Sequence, residues 1–180
     1  MFEPADITHK IYPMIQIYTG NGKGKTTACL GLAIRAAGAG FKVFFCQFVK
    51  NTPCGELIAL KKIKNITLEQ FGSGCFIKKK IKPCDMKAAE SGLRRAREVI
   101  IRGCYRMVIL DEIHVAVRLG LLDVEEVISL IESTPPGIEL VLSGRHAHPR
   151  ILRKADLISD IREVRHYYRK GVKARRGIEF

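Results

Sequence analysis

Short apolar runs of strand length alternate along the chain with longer segments whose apolar positions recur at the helical period. The strands that this pattern predicts lie at residues 15–18, 42–48, 66–71, 107–110, 139–142 and 163–168. The predicted helices lie at residues 26–37, 55–63, 85–101 and 124–132, and Asp85 is expected to cap the third. Such alternation is typical of a parallel sheet covered by helices. We therefore predict an α/β fold with a doubly wound, mostly parallel sheet.

The length of the chain limits how many domains it can form. Its 180 residues, 47% of them hydrophobic, suffice for one sizeable core, and no repeat or linker divides them. We predict a single domain over residues 1–180. The apolar runs are far shorter than the roughly 20 residues of a membrane-spanning helix, and residues 1–14 lack the pattern of a secretory signal. We expect a cytoplasmic protein without a membrane partner.

Cysteines and charges narrow the function classes further. The six cysteines form no C-x-x-C pair, which argues against a zinc site and a disulfide scaffold. The formal net charge is +13, so the surface attracts anions such as nucleotides. The lysine-rich run at residues 78–82 has no interleaved aromatic positions for stacking bases, which argues against nucleic-acid binding.

A glycine- and lysine-rich loop between the first predicted strand and helix has the position of a Walker A phosphate loop. It reads TGNGKGKTT from Thr19 to Thr27. Glycines allow successive N–H groups to point into one concavity, and the helix dipole adds positive potential there. We predict that Lys25 reaches the outer phosphates of a nucleoside triphosphate and that the Thr26 hydroxyl ligates Mg²⁺. The remaining predicted nucleotide contacts come from Gly20, Asn21, Gly22, Lys23, Gly24 and Thr27.

Two carboxylates follow the apolar strand at residues 107–110. Asp111 and Glu112 should emerge at the carboxyl edge of the sheet, where ligands of open α/β sheets bind. A carboxylate there can hold Mg²⁺ directly or through water, and the sequence does not decide which of the two does so. The alternative is that the pair caps a helix beginning at Ile113. His114 is interpreted as a neighbour rather than a base, because no nucleophile is paired with it.

Four ordered blocks resemble the P-loop ATP:corrinoid adenosyltransferases, which install the adenosyl group of coenzyme B12 on cob(I)alamin or cob(I)yrinic acid a,c-diamide. The blocks read TGNGKGKTTACLGLAIRAAGAG with QFVK after it, VILDEIHVAVRLGLL, LVLSGRHAHPRILRKADLISDI and GVKARRGIEF. The likeness covers residues 15–180. It implies a homodimer of P-loop NTPase-like (RecA-like) subunits that binds MgATP and a corrinoid. The implied reaction transfers the 5′-deoxyadenosyl group to Co(I) and releases triphosphate.

The resemblance also implies roles for individual residues. Because Co(I) is itself the nucleophile, the protein mainly positions the reactants. Lys25, Thr26 and Glu112, with Mg²⁺, would stabilise charge on the departing triphosphate. Arg145, within the SGR segment that resembles the family's TGR, could neutralise ligand charge, and the alternative is a surface salt bridge. A separate reductase would supply Co(I).

Two departures from the family pattern bear on the corrinoid. Residues 72–77 read GSGCFI where the family often shows G-x-G-F-T-W, so either Phe76 forms part of the apolar wall or a different corrinoid is accommodated. Residues 1–14 are shorter than the extension that family members commonly carry, so shielding of the cobalt is either weaker or supplied by the partner subunit.

Two rival functions remain open. One is a P-loop phosphotransferase or ATPase acting at the γ-phosphate, and the other is a basic nucleic-acid-binding ATPase.

Overall fold

The computed structural model describes residues 13–51, 55–72 and 81–179. The strands are Met14–Thr19 (β1), Val43–Phe48 (β2), Ile66–Phe71 (β3), Met107–Asp111 (β4), Glu139–Ser143 (β5) and Leu157–Asp160 (β6). The helices are Lys25–Gly38 (α1), Gly55–Leu60 (α2), Pro83–Arg102 (α3), Ile113–Arg118 (α4), Val124–Glu132 (α5) and Pro149–Leu152 (α6), and a 3₁₀ turn follows at Tyr167–Lys170. No helix in these three ranges is long and apolar enough to cross a membrane.

The six described strands form one parallel sheet in the order β3-β2-β4-β5-β1-β6. The predicted α/β fold with a doubly wound parallel sheet is therefore confirmed. Because the carboxyl ends of parallel strands meet at one edge, the loop after β1 lies beside the ends of β4 and β5. A single domain over residues 1–180 stays a prediction.

Strand β2 shows why helices cover both faces of the sheet. All six of its residues are buried, and successive side chains point to opposite faces. Val43 and Phe45 pack in the core on the side of α1, whereas Phe44, Cys46 and Phe48 pack on the side of α3. A strand buried on both faces is continuously apolar rather than alternating. Packing on both faces fixes β2, and with it the position of its carboxyl end at the edge of the sheet.

The predicted strand at residues 163–168 is wrong. The last strand is β6, and Tyr167–Lys170 forms a 3₁₀ turn that begins where the His166 ring nitrogen accepts a hydrogen bond from the Tyr168 N–H. Strand β6 has four residues, is largely exposed and, among the described strands, pairs with β1 alone, so it lacks a strong apolar pattern. Val164 gave the false strand its apolar character, yet its side chain is 96% exposed.

Asp85 helps to cap α3 as predicted, but it does so from the first turn rather than from the cap position. The helix begins at Pro83 and Lys82 is its cap residue. Asp85 lies in the first turn and accepts a hydrogen bond from the Lys82 N–H at 2.8 Å. Pro83 starts the helix earlier because a proline in the first turn has no N–H to satisfy. The short helix α6 was not predicted, α4 begins at Ile113 as the helix-cap alternative had it, and α2 ends at Leu60, three residues before its predicted end.

Candidate active site

The phosphate loop between β1 and α1 requires glycine for two physical reasons. Gly20 and Gly24 have φ angles of 97° and 119°, in the left-handed region that favours glycine. The chain after β6 also packs directly on the loop, where the Gly22 N–H donates to the Ile161 carbonyl at 2.7 Å. A Cβ atom at Gly20 would lie 2.4 Å from that same carbonyl oxygen. The loop is therefore shaped by its own backbone and by a close neighbour.

Lys25 is buried at the start of α1. Its ammonium group donates to the carbonyl oxygens of Gly20 and Gly22, both at 2.7 Å. Burial lowers the pKa of Lys25, and the nearby Arg145 cation acts in the same direction. The lysine is thus held against the inner side of the loop and lines the cavity described below.

A buried polar network joins the phosphate loop to the acidic end of β4. The Asp111 carboxylate accepts hydrogen bonds from the Thr26 hydroxyl at 3.1 Å, the Ser143 hydroxyl at 2.5 Å and the Gln47 amide at 3.2 Å. Gln70 on β3 in turn donates to Gln47 at 2.9 Å. Burial raises the pKa of Asp111, while the three hydrogen bonds lower it. Thr26 and Asp111 were both predicted as Mg²⁺ ligands, and the structure brings their side chains into contact.

Glu112 occupies a different environment from its neighbour Asp111. Its side chain lines the cavity, its φ angle is 61°, and it makes no hydrogen bond that caps α4. The Glu112 N–H donates to the Ser143 hydroxyl at 3.2 Å. Burial and the charge of Asp111 raise the pKa of Glu112 to about 7. The helix-cap alternative therefore does not describe its side chain.

These residues surround a cavity of about 560 Å³, a size common for small-molecule sites. Two groups of residues line it, one from the phosphate loop and the strand ends and the other from the last block of the sequence. The lining residues are Gly22, Lys23, Gly24, Lys25, Thr26, Thr27, Leu30, Lys50, Gly55, Glu56, Glu112, Arg145, His166, Gly177, Ile178 and Glu179. Most of the predicted site residues therefore share one cavity.

The remaining predicted residues have varied positions. Arg145 is exposed beside the cavity and makes no ion pair with any residue in the described ranges. Asn21 is exposed, and neither it nor Gly20 is among the residues that line the cavity. Phe76 lies outside the described residues.

Lys23 makes contacts that its position in the phosphate loop did not predict. Its ammonium group donates to the Tyr167 hydroxyl at 2.8 Å, the Ile178 carbonyl at 3.1 Å and the Glu179 carboxylate at 2.8 Å. The last block of the sequence is thereby attached to the loop. Pattern reasoning missed this contact because the partners lie 144 to 156 positions apart.

Lys50 and Glu56 also line the cavity and were not predicted. Lys50 donates to Glu56 at 2.6 Å. Lys50 follows the carboxyl end of β2, so the same rule that selected Asp111 and Glu112 could have identified it. Glu56 lies in the first turn of the short helix α2 and has no comparable sequence signal.

The donor set at the cavity suits a hard cation. Mg²⁺ prefers oxygen ligands and usually combines one or two protein oxygens with waters and phosphate oxygens. Thr26 and Glu112 line the cavity with a hydroxyl and a carboxylate, and the buried Asp111 carboxylate accepts a hydrogen bond from the Thr26 hydroxyl. Within the described ranges, no three or more His, Cys, Asp or Glu side chains group as a metal cluster would. The residues therefore fit a magnesium ion that is shared with a nucleotide, rather than one bound by protein alone.

His114 lies behind the site, in α4, and does not line the cavity. Its side chain is buried, and neither ring nitrogen has a hydrogen-bond partner among the described residues. Burial lowers its pKa to about 4, so the imidazole is neutral near neutral pH. A Cβ atom at Gly144 would lie 3.1 Å from the His114 Cβ, so this turn and the helix pack closely.

The family model and three relatives that match this chain carry the description corrinoid adenosyltransferase. A family model described as "ATP:corrinoid adenosyltransferase BtuR/CobO/CobP" matches residues 12–180. The corrinoid adenosyltransferase of Escherichia coli (strain K12) is 35% identical over 168 residues, which cover 93% of this chain and 85% of that protein. Corrinoid adenosyltransferase CobA of Salmonella typhimurium (strain LT2) has the same identity and coverage. The corrinoid adenosyltransferase of Pseudomonas aeruginosa is 29% identical over 169 residues, covering 93% of this chain and 83% of that protein.

Proposed function

The chain belongs to the ATP:corrinoid adenosyltransferase family, and we propose that it transfers the 5′-deoxyadenosyl group of ATP to the Co(I) centre of a reduced corrinoid, releasing triphosphate. One observation carries the proposal beyond family membership. The phosphate loop and the acidic end of β4 are joined through Thr26 and Asp111 beside one cavity. A corrinoid adenosyltransferase needs such a site to hold the triphosphate while the ribose carbon remains open to attack.

The phosphates of ATP are assigned to the first turn of α1 and to the backbone N–H groups of residues 20–24, except that of Gly22, which donates to the Ile161 carbonyl. Lys25 supplies a buried cation at the start of that helix, and Thr27 lines the cavity in the same turn. Arg145 adds an exposed positive charge at the side of the cavity. Together these groups oppose the negative charge that grows on triphosphate as the carbon–oxygen bond breaks.

Mg²⁺ is assigned to the same end of the cavity, where it would neutralise phosphate charge. The Thr26 hydroxyl and the carboxylates of Asp111 and Glu112 are the proposed oxygen ligands, directly or through water. Asp111 is already occupied by three hydrogen bonds, one of them from Thr26, whereas Glu112 lines the cavity. We therefore assign Glu112 the closer approach to the ion and Asp111 the orientation of Thr26.

The remaining parts of the proposal concern partners. A separate reductase supplies Co(I), and the reaction takes place in the cytoplasm, where ATP and the reductase meet. A homodimer is supported by the edge strand β6, whose Leu157 and Ile158 are about half exposed. For the family's aromatic segment the two alternatives stand: either Phe76 forms part of the apolar wall or a different corrinoid is accommodated.

The test mixes the purified protein anaerobically with MgATP and chemically reduced cobalamin. We expect the Co(I) spectrum to convert to that of a light-sensitive alkylcobalamin, with one triphosphate released per turnover. The variant Lys25→Ala serves as the inactive control. An unchanged spectrum with ADP or free phosphate as the product would instead support a P-loop phosphotransferase or ATPase.

A further inference from the structure

One wall of the cavity is formed by residues that the proposed chemistry does not use. This wall is the 167–179 segment, which contributes Gly177, Ile178 and Glu179 to the cavity lining. It is attached to the phosphate loop through Lys23, whose ammonium group bonds both ends of the segment.

Hydrogen bonds to one carboxylate, that of Glu179, join the two ends of the segment. Glu179 accepts hydrogen bonds from the Arg175 N–H at 2.6 Å and from the Tyr167 hydroxyl, in addition to its ion pair with Lys23. The Arg175 guanidinium lies 4.8 Å from the centre of the Tyr167 ring. Residues 167, 175 and 179 are therefore fixed to one another, and Lys23 fixes the group to residues 20–24.

The Lys23–Glu179 ion pair is unusual on the wall of an anion-binding cavity. The hydrogen bond with Lys23 lowers the pKa of Glu179, and the bond with Glu179 raises the pKa of Lys23, so both are charged at neutral pH. A carboxylate on the wall of a triphosphate site repels the ligand, and pairing it also occupies a cation that could otherwise bind phosphate. Because the charge of Glu179 does not favour ATP binding, the Lys23–Glu179 pair can assist binding only by positioning the residues around it.

We propose that Glu179 is a positioning residue for the phosphate loop, holding the 167–179 segment against residues 20–24 through Lys23 and so completing the nucleotide cavity. The inference rests on the proposed function, because it assumes that the cavity receives ATP. It assigns the side chain of Lys23 to the segment, while the Lys23 backbone remains part of the loop.

The test compares Glu179→Gln with Glu132→Gln in the full chain. Glu132 pairs with Lys154 at 2.7 Å on the surface, outside the cavity, so its variant controls for the loss of an ion pair. We expect Glu179→Gln to raise the KM for ATP about five-fold and to weaken ATP binding in calorimetry equally, with kcat nearly unchanged. Glu132→Gln should match the wild type in both measurements.

A second pair of variants isolates the route through Lys23. If Glu179 acts through this lysine, the double variant Lys23→Gln/Glu179→Gln should bind ATP as weakly as Lys23→Gln alone. Tyr167→Phe, which removes one hydroxyl from the same group, should give a smaller loss in the same direction. Thermal melting of each variant checks that the chain is folded.

Three results would overturn the inference. The first is tighter ATP binding by Glu179→Gln, which would show that the carboxylate only repels the ligand. The second is a change in ATP affinity no larger than that of Glu132→Gln. The third is that the losses of ATP affinity from Lys23→Gln and Glu179→Gln add in the double variant. Calorimetry with ATP alone needs no corrinoid. A wild-type protein that binds ATP but does not adenosylate cobalamin would therefore contradict the proposed function and leave the positioning role separately measurable.

Discussion

The two walls of the cavity are built by opposite means. On the strand side, Asp111 and Ser143 are completely buried, and hydrogen bonds inside the sheet edge hold them. On the other side, the 167–179 segment is held by an ion pair whose side chains are 36% exposed at Lys23 and 17% exposed at Glu179. Buried polar groups lose much when a partner is removed, whereas exposed ion pairs are worth little individually. The strand wall is therefore fixed and the segment wall adjustable.

The largest expected effect on activity is that of Lys25→Ala, and it is compared with a variant of Lys23, which lies in the same loop but binds the segment wall. Lys25→Ala removes a buried cation from the phosphate site and should lower ATP-dependent turnover by about 100- to 1000-fold. Lys23→Gln, two positions earlier, should raise the KM for ATP only about five-fold. Steady-state kinetics over a range of ATP concentrations measures both. Unchanged turnover of Lys25→Ala at limiting ATP would mean that the loop is misassigned.

The next largest effect tests the burial of His114 behind the strand wall. Its pKa is about 4 in the folded protein, against a usual value of 6.5. Between these values the unfolded chain binds a proton that the folded chain does not, so the free energy of unfolding falls as the pH decreases. The full loss amounts to about 3 kcal/mol at about pH 4.

His114→Leu removes this titration. Urea unfolding at about pH 7 and about pH 4 should show the variant losing about 3 kcal/mol less stability than the wild type. The comparison must use both proteins at both pH values, because other groups also titrate in this interval. Identical losses in the two proteins would show that His114 is not held neutral.

A smaller effect is expected from Ser143→Ala, which compares the two walls directly. The variant deprives buried Asp111 of its 2.5 Å hydrogen bond and the Glu112 N–H of its acceptor. We expect the free energy of unfolding to fall by about 1–3 kcal/mol, while Glu179→Gln leaves the urea midpoint nearly unchanged. Ser91→Ala, which removes an exposed hydroxyl from α3, is the matched control. Equal destabilisation by Ser143→Ala and Ser91→Ala would contradict the distinction between the walls.

The strand wall is also the part of the site that the sequence predicted. Five of the six strands followed from apolar runs, and the rule that parallel strands end at one edge placed Thr26 and Asp111 at one predicted magnesium site. The bounds of these five strands differ from the predicted ones by at most one residue at either end, because buried strands carry a strong apolar signal.

The segment wall was not predicted because its structure depends on distant contacts. Strand β6 has half-exposed side chains, and its identity comes from pairing with β1, so local pattern favoured residues 163–168 instead. Glu179 had no signal of its own, since its role depends on Lys23 and Tyr167. Exposed segments held by long-range ion pairs leave no periodic trace in the sequence.

The attachment of Lys23 to Glu179 also affects the order in which the protein is assembled. The two residues are 156 positions apart, so the phosphate loop leaves the ribosome long before the segment that braces it. The intervening strands β2 to β5 can pair while synthesis continues, but one side of the cavity stays open until residues 160–179 have been made. ATP cannot assist the early steps of folding through the complete site. Tight nucleotide binding consequently has to wait until residues 160–179 have been synthesised.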